Sequence, residues 1–325
     1  MASPLITGAQ IVAARERLPA QVRLTPVLPL ARDFGEVGRE GLMLKAEHLQ
    51  VTGSYKARAA FHIIGSLDEP GRRHGIVLSS SGNFAQAVAY AGAVTGVPVT
   101  VVMPAYTAKT KIDATCEYGA TVAICDGFAD REPMVNQISH DSGMFALHTF
   151  EDPQVLVGHG SIGLEILEQV PDVQTILVPI SSGGLAAGIA TAVKATRAAV
   201  RVIGVQPRLA NACYVSWQAG DVRSIDRWSS MADALSARRP GELPFRHLRE
   251  HLDDIVLVSE EEIAAAVRLM LVRTKTIPEP AGAVAAAGYL SASVADPGLT
   301  VAVVSGGNFD YAFMQEILYG TGHQA

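Results

Sequence analysis

The chain of 325 residues is 49% hydrophobic and 18% charged, which supplies a large buried core and excludes a disordered, collagen-like or disulfide-stapled protein. Its 26 basic and 32 acidic side chains leave a net charge of −6, so the chain lacks the basic surface on which binding to a nucleic-acid backbone depends. At about 150 residues per domain, this length predicts roughly two domains.

Cysteine usage and the N-terminal segment bear on the cellular compartment. Cys116, Cys125 and Cys213 form no C-x-x-C pair and cannot all be bridged, as expected of thiols kept reduced in a cytosol. Glu16 and Arg17 soon follow a short apolar run, which matches neither a secretory signal nor a transit peptide. No uncharged apolar stretch reaches the about 18 residues of a membrane span. We therefore expect a cytoplasmic protein that binds neither membrane nor nucleic acid.

Short apolar runs rich in Val and Ile alternate with longer Ala-rich segments. The predicted strands are, in chain order, 76–78, 99–103, 121–125, 175–180, 202–205, 255–258 and 299–304. The segments between them carry helical periodicity, as in 85–93 and 263–272, and Ser259 with Glu262 forms a capping box that predicts a helix start. Strands alternating with helices predict an α/β fold with mostly parallel sheets, in two units rather than one barrel. A loop predicted at 217–245 is long enough to have a function.

Three of the predicted strands end in turns rich in serine and glycine, at residues 79–84, 181–185 and 305–308. Ligands of open α/β sheets bind outside the carboxyl ends of the strands, where such turns present N–H groups and hydroxyls to an anion. One such turn more often only caps a helix, but three favour a binding site. Ile189 and Ala190 stand where a P-loop requires Lys and Ser/Thr. The turns therefore favour an isolated phosphate, as on a phosphorylated cofactor, over ATP or NAD.

Lys56 lies in an unusual segment, residues 53–60, which reads Gly-Ser-Tyr-Lys-Ala-Arg-Ala-Ala. A lysine among apolar neighbours has a depressed pKa and can act as a nucleophile, which a cofactor bearing an aldehyde requires. On composition alone, Lys56 would be an ordinary surface lysine. Its assignment therefore depends on the pattern around it.

The turns and the lysine together resemble the fold-type II pyridoxal-phosphate enzymes, specifically the serine/threonine dehydratase and serine racemase group. The pattern of that group around its Schiff-base lysine is Glu-x-x-Gln-x-Thr-Gly-Ser-Phe-Lys-x-Arg-Gly-Ala. Residues 47–60 read Glu-His-Leu-Gln-Val-Thr-Gly-Ser-Tyr-Lys-Ala-Arg-Ala-Ala. Further matches follow in the family's order at residues 81–83, 183–185, 279–283 and 305–308.

This resemblance implies a two-domain α/β fold similar to that of the tryptophan synthase β-subunit. Parallel-rich sheets with flanking helices would hold pyridoxal 5′-phosphate between the domains. Residues 1–43 and 146–325 would form the large, cofactor-binding domain, and residues 44–145 would form a small α/β domain. The resemblance also implies a cytoplasmic homodimer that acts on a small amino-acid substrate.

The resemblance gives individual residues a role. Lys56 would bind the cofactor covalently and then act as the base that removes the Cα proton of the substrate. Asn83 would hydrogen-bond the 3-oxygen of the cofactor, and Ser305 would face its pyridine nitrogen. The cofactor phosphate would be bound by Ser181, Ser182, Gly183, Gly184 and Leu185. The substrate carboxylate would be bound by Thr52, Ser80, Ser81, Gly82 and Asn83.

The sequence departs from the family pattern at several positions of the site. Phe84 replaces the histidine that commonly follows the loop asparagine, and it either lines a pocket for an apolar β-substituent or packs behind the loop. Ser181 and Ser182 replace two glycines of the phosphate loop, and Ala234 replaces a common glycine. These departures bear on the substrate more than on the fold.

We predict no metal site. Several relatives bind a divalent cation through two acidic residues, and the matching positions here are Gln206 and Ala212, which carry no charge. The segment 247–251 matches the H-x-x-E-H pattern of zinc peptidases, but no third ligand is identifiable and a helix face is the favoured interpretation.

The leading hypothesis is a pyridoxal-phosphate-dependent ammonia-lyase that dehydrates and deaminates a β-hydroxy amino acid, threonine-like or serine-like, to a 2-oxo acid and ammonia. The alternative is an amino-acid racemase, because Ser81 stands where racemases of this group carry a serine and many dehydratases carry alanine. β-Elimination or replacement on a bulkier β-substituted amino acid is a third hypothesis. A binding protein without turnover is disfavoured, because Lys56, Asn83 and Ser305 are all present.

Overall fold

The protein is described by a computed structural model that covers residues 4–30 and 41–319. Its strands within these ranges are β1 (Val27–Pro29), β2 (Leu42–Lys45), β3 (Ile76–Ser79), β4 (Val99–Pro104), β5 (Thr121–Cys125), β6 (Phe145–Leu147), β7 (Thr175–Pro179), β8 (Arg201–Pro207), β9 (Asp254–Val258) and β10 (Thr300–Val303). Its helices are α1 (Gly8–Glu16), α2 (Lys56–Ser66), α3 (Glu69–His74), α4 (Asn83–Thr95), α5 (Lys109–Glu117), α6 (Arg131–Ser142), α7 (Pro153–Gln169), α8 (Gly184–Thr196), α9 (Ala212–Ala219), α10 (Glu242–His251), α11 (Glu260–Thr274), α12 (Pro280–Leu290) and α13 (Tyr311–Tyr319). Across the described ranges, no helix combines the length and apolar character needed to cross a bilayer.

The strands form two sheets. One has six strands in the order β1-β2-β10-β7-β8-β9, and the other has four strands in the order β5-β4-β3-β6. Every strand pair is parallel except β1 with β2. This confirms the α/β class, since all seven predicted strands are present within a few residues. β1, β2 and β6 were not predicted, because runs of three or four residues are too short to show a period.

Sheet membership divides the chain close to the predicted domain boundaries. β2 belongs to the six-stranded sheet and ends at Lys45, whereas β6 belongs to the four-stranded sheet and ends at Leu147. The boundaries predicted after residues 43 and 145 therefore fall inside these two strands. The division into a large and a small domain stays a prediction.

The predicted capping box is confirmed, because Ser259 Oγ accepts the Glu262 N–H and Glu262 Oε2 accepts the Ser259 N–H at 2.7 Å. The predicted loop at 217–245 is too long at both ends. α9 continues to Ala219, and α10 begins at Glu242 because a proline, Pro244, is tolerated in the first turn of a helix. The remaining connection, residues 220–241, contains one 3₁₀ turn at Asp233–Leu235.

Helices α7 and α8 pack with closely spaced backbones because glycines line their contact. A Cβ on Gly188 would lie 2.3 Å from the Leu156 carbonyl oxygen, and a Cβ on Gly160 would lie 2.9 Å from the Gly188 carbonyl oxygen. A Cβ on Gly163 would lie 3.0 Å from the Ile189 carbonyl oxygen. Any side chain at these positions would push the helices apart, so the glycines determine how α7 meets the N-terminal turn of α8.

A buried cluster of charges joins β2, α2 and α7. The Arg58 guanidinium donates to both oxygens of Glu47 at 2.7 and 2.8 Å and to both oxygens of Glu165 at 2.6 and 2.8 Å. Lys45 Nζ donates to Glu165 Oε2 at 2.6 Å. Burial by itself raises the pKa of Glu47, but the charge of Arg58 holds that pKa below its ordinary value. Two cations thus balance two carboxylates, which is how charges are accommodated away from water.

The three cysteines are free thiols, as predicted. Cys116 is exposed, whereas Cys125 and Cys213 are buried. Burial raises the pKa of the Cys213 thiol to about 12, so this side chain behaves as a small apolar group of the core.

Candidate active site

A cavity of about 220 Å³ lies where the carboxyl ends of strands from both sheets face each other. Parallel strands direct all their carboxyl ends to one edge, so turns far apart in sequence meet there. The predicted site residues that line this cavity are Lys56, Ser80, Gly82, Asn83, Phe84, Ser181, Ser182, Gly183, Gly184, Leu185 and Ser305. The tertiary structure therefore brings together residues that three separate turns and one helix start supply.

Thr52 and Ser81 are the two predicted site residues that do not line the cavity. Thr52 is buried, its hydroxyl forms no hydrogen bond, and its φ of 62° is strained for a β-branched residue. Its carbonyl oxygen accepts from Asn308 Nδ2 at 2.8 Å. Ser81 is half-buried in the turn between two residues that do line the cavity.

Lys56 is the first residue of α2, and its amine lies between two aromatic rings. Its Nζ is 4.8 Å from the centre of the Tyr55 ring and 5.1 Å from the centre of the Phe84 ring. The Tyr55 N–H donates to the Ser305 carbonyl oxygen at 3.0 Å, which ties the start of α2 to the turn after β10. Among the described residues no carboxylate pairs with Lys56, so its amine is available to react.

The turn after β7 forms an anion-binding cradle, residues 181–185. Gly183 precedes α8 with a φ of 103°, a left-handed conformation that favours glycine. The N–H groups of the first turn of a helix have no partner within the helix, and those of Gly184 and Leu185 border the cavity. Together with the hydroxyls of Ser181 and Ser182, they suit a phosphate.

A chain of polar side chains closes another part of the cavity. Asn83 Nδ2 donates to Glu279 Oε1 at 2.8 Å, and Asn83 Oδ1 accepts from Asn308 Nδ2 at 2.9 Å. Burial and, to a smaller extent, the charge of Asp233 raise the pKa of Glu279 to about 8. Glu279 is therefore largely protonated at neutral pH and can donate a hydrogen bond. Ser305 Oγ, which is buried, donates to the Ala281 carbonyl oxygen at 3.5 Å.

Replacing Glu279 by glutamine is expected to stabilise the cofactor-free protein increasingly as the pH rises from 4.5 to about 8. Within this window the folded protein keeps a proton on Glu279 that the unfolded chain has lost, so the free energy of unfolding of the wild type falls as the pH rises. The slope reaches at most about 1.4 kcal/mol per pH unit. Glutamine does not titrate and keeps the oxygen that accepts from Asn83. Thermal melts of both proteins across the window should diverge, and parallel pH profiles would contradict the assignment.

Comparison with known proteins identifies the family. A sequence model of the family described as pyridoxal-phosphate dependent enzyme matches residues 18–306. The chain belongs to this family. The catabolic L-threonine dehydratase of Escherichia coli K12 is 38% identical over 311 residues, which cover 94% of each chain. Among solved structures, a threonine deaminase from T.th. has a TM-score of 0.87 and 38% identity, and a serine racemase from Dictyostelium discoideum has 0.87 and 34%. Each covers 94% of this chain and 99% of the other.

The cofactor of the family, pyridoxal phosphate, fits the groups that border the cavity. Lys56 offers an unpaired amine, and the cradle 181–185 offers donors for a phosphate. Ser305 places a buried hydroxyl, rather than a carboxylate, beside the same cavity. His159 adds a buried imidazole whose two nitrogens form no hydrogen bond. When bound, the cofactor supplies an electron-accepting ring that stabilises negative charge at the substrate Cα.

Several residues that line the cavity were not predicted as site residues. They are Tyr55, Thr149, Phe150, Val155, His159, Pro179, Leu235, Glu279 and Ala281, and Ala234 was noted only as a departure from the family pattern. Most lie on helices or loops without a local motif, so their sequence context resembles that of core residues. One signal was available, because His159 is a polar residue within a segment that is otherwise apolar on its buried face.

The residues examined as metal ligands have other partners. Gln206 Oε1 accepts the Tyr214 N–H at 2.9 Å. His247 Nε2 accepts the Ile6 N–H at 3.1 Å, and its Nδ1 lies 3.0 Å from Thr191 Oγ1, so both ring nitrogens are engaged. In the part of the chain that the structure describes, no group of three or more His, Cys, Asp or Glu residues could hold a metal ion. Independence from metal stays a prediction.

Proposed function

We propose that this protein is a pyridoxal-phosphate-dependent ammonia-lyase that dehydrates and deaminates a threonine-like or serine-like β-hydroxy amino acid to a 2-oxo acid and ammonia. The observation that carries the proposal is the amine of Lys56, which lies at the cavity between two aromatic rings and near the phosphate cradle 181–185. The names of the similar proteins, a threonine dehydratase and a threonine deaminase, support it.

Lys56 would perform the proton transfer. Its Nζ takes the Cα proton of the substrate, and the β-hydroxyl leaves as water, so the substrate loses one water molecule. The enamine that is released hydrolyses to the 2-oxo acid and ammonia. The Ser305 hydroxyl, unlike a carboxylate, need not keep the cofactor ring protonated, which favours prompt loss of the β-leaving group. The Tyr55 N–H bond to the Ser305 carbonyl keeps the lysine and this hydroxyl in a constant relation.

The substrate carboxylate would bind at the N-terminal end of α4. Ser80, Gly82 and Asn83 border the cavity there, and the first turn of this 13-residue helix offers N–H groups to an anion. Phe84 lies beside them, with its ring 5.1 Å from Lys56 Nζ. This supports the role of lining a pocket for an apolar β-substituent, such as a methyl group, over that of packing behind the loop.

Racemisation is the second candidate function, since a serine racemase is among the similar structures and Ser81 is the group that a second proton transfer would use. Ser81 lies outside the residues that line the cavity, which supports elimination.

Replacing Ser81 by alanine is expected to leave most of the 2-oxo acid formation intact. If racemisation were the main activity, the same change would lower it on the order of 10²-fold, the scale of a positioned proton-transfer group. The assay measures 2-oxo acid and enantiomer ratio together for L-threonine, L-serine, D-serine and bulkier β-hydroxy amino acids. The proposal is wrong if the wild type forms no 2-oxo acid from any of them but equilibrates the enantiomers of one.

We propose in addition that the protein is a cytoplasmic homodimer with the cofactor between a large and a small domain. The family resemblance and the three free thiols support this arrangement. The position of the cavity between the carboxyl ends of two sheets supports the place of the cofactor.

A further inference from the structure

We propose that His159 is a ligand of the cofactor phosphate, to which it donates an imidazole N–H beside the cradle 181–185. The cradle was predicted from the sequence, whereas His159 carries no role in the resemblance. The proposal rests on the cofactor of the family and not on the lyase reaction proposed above. A test of cofactor binding can therefore fail while the proposed reaction stands, and the reverse also holds.

The position of His159 follows from the glycines on either side of it. A Cβ on Gly158 would lie 2.5 Å from Ala59 Cα of α2, and a Cβ on Gly160 would lie 2.9 Å from the Gly188 carbonyl oxygen of α8. α7 is thus pressed against both helices at the position of His159. The imidazole consequently stands between the N-terminal ends of α2 and α8.

The imidazole touches both ends of the proposed cofactor site. Its ring centre is 4.7 Å from that of Tyr55, the residue before the reactive lysine. Its Nδ1 lies 4.0 Å from the point where a Cβ on Gly184 would stand, which is the first residue of α8. The side chain lines the same cavity as the cradle, so it borders the place where an anion would meet the helix N-terminus.

The side chain is 1% exposed, and neither of its nitrogens forms a hydrogen bond. Leaving a buried polar group unpaired is unfavourable, so such groups in folded proteins almost always have a partner. Burial lowers the pKa of His159 well below its ordinary value, and the charge of Lys56 lowers it further. The backbone of Gly184 opposes this shift of the pKa without offsetting it. The imidazole is therefore neutral, with one N–H donor that lacks an acceptor.

The surroundings of this donor select an anion as its acceptor. The positive end of the α8 dipole and the Lys56 ammonium make the local potential positive, which favours a negative ligand. A phosphate monoester supplies several acceptor oxygens and can bind the N–H groups of the cradle and the imidazole at once. The hydroxyls of Ser181 and Ser182, which border the same cavity, add two further donors.

The test compares the binding of pyridoxal 5′-phosphate with that of pyridoxal, which lacks the phosphate. In His159→Phe the ring against Tyr55 is kept and the N–H is lost, and in His159→Gln an N–H donor is restored. For His159→Phe we expect the dissociation constant of the phosphorylated ligand, measured by reconstitution of the apoprotein, to rise about 10- to 100-fold. The dissociation constant of pyridoxal should change by less than about 2-fold, and His159→Gln should recover most of the loss.

His48→Phe is the matched control. His48 is also buried with two unpaired nitrogens, but it does not line the cavity, so its replacement should leave the affinity for both ligands unchanged. Equal affinity of wild type and His159→Phe for the phosphorylated ligand would overturn the proposal. An equal loss for both ligands would also overturn it, because the contact would then not involve the phosphate.

A measurement on the wild type covers the case in which His159→Phe does not fold. With ¹⁵N-labelled histidine, one imidazole should shift when pyridoxal 5′-phosphate is added to the apoprotein, and should not shift when pyridoxal is added. Histidine spectra that are the same with both ligands would refute the contact without any substitution.

Discussion

Replacement of Lys56 by alanine is expected to abolish the formation of 2-oxo acid and the visible absorbance of the holoenzyme. Among the residues that line the cavity, Lys56 provides the one primary amine, so its loss removes both the covalent anchor of the cofactor and the base at the substrate Cα. A positioned base alone contributes up to about 10⁴-fold, and we expect the activity to fall by at least that factor.

Borohydride reduction of the wild-type holoenzyme, followed by peptide mapping, measures the first role directly. The phosphopyridoxyl group should be found on Lys56. Lys109 offers a control, since it is an exposed lysine of α5 that pairs with Asp113, and Lys109→Ala should keep full activity and full absorbance. A label on another lysine, or a wild type without visible absorbance after reconstitution, would contradict the assignment.

Replacement of Arg58 by methionine is expected to cost about 3–5 kcal/mol of the free energy of unfolding. Arg58 is fully buried, and its guanidinium is shared by Glu47 and Glu165, which are 0% and 7% exposed. Without it, the two carboxylates retain one buried cation, Lys45, between them. Urea unfolding of the wild type and the variant measures the difference.

An exposed arginine–glutamate pair between α1 and α7 provides the comparison. Arg15 and Glu168 are 27% and 60% exposed, so Glu168→Gln should cost no more than about 1 kcal/mol. Adding Glu47→Gln to Arg58→Met leaves Lys45 paired with Glu165, and this double variant should be more stable than Arg58→Met alone. A loss for Arg58→Met no larger than that of Glu168→Gln would show that the buried cluster does not stabilise the fold.

The buried cluster also bears on the active site. α2 begins at Lys56, and Arg58 lies in the same first turn, where its guanidinium is held by Glu47 and by Glu165 of α7. The position of the reactive amine therefore depends on ion pairs that are remote from the cavity. Gly53 contributes to the same start, since its φ of 70° and its contact with Asn308 leave no room for a side chain.

The sequence by itself determined the fold class, the cofactor and much of the site. These features depend on local patterns: apolar runs of four to six residues, turns of serine and glycine, and the segment around Lys56 that resembles one family. Phosphate binding at the start of α8 could be predicted because the first turn of any helix leaves N–H groups unpaired. The reactive lysine could be predicted because its neighbours along the chain form a specific motif.

Only the tertiary structure decided which buried polar groups meet. Asn83 and Glu279 are 196 positions apart in the chain, and the raised pKa of Glu279 exists only after burial removes its carboxyl from water. His159 is indistinguishable from a core residue until the glycine contacts of α7 place it beside the start of α8. The cost of burying a charge or an unpaired donor depends on the partners that folding brings within about 3 Å, and a linear pattern does not contain those distances.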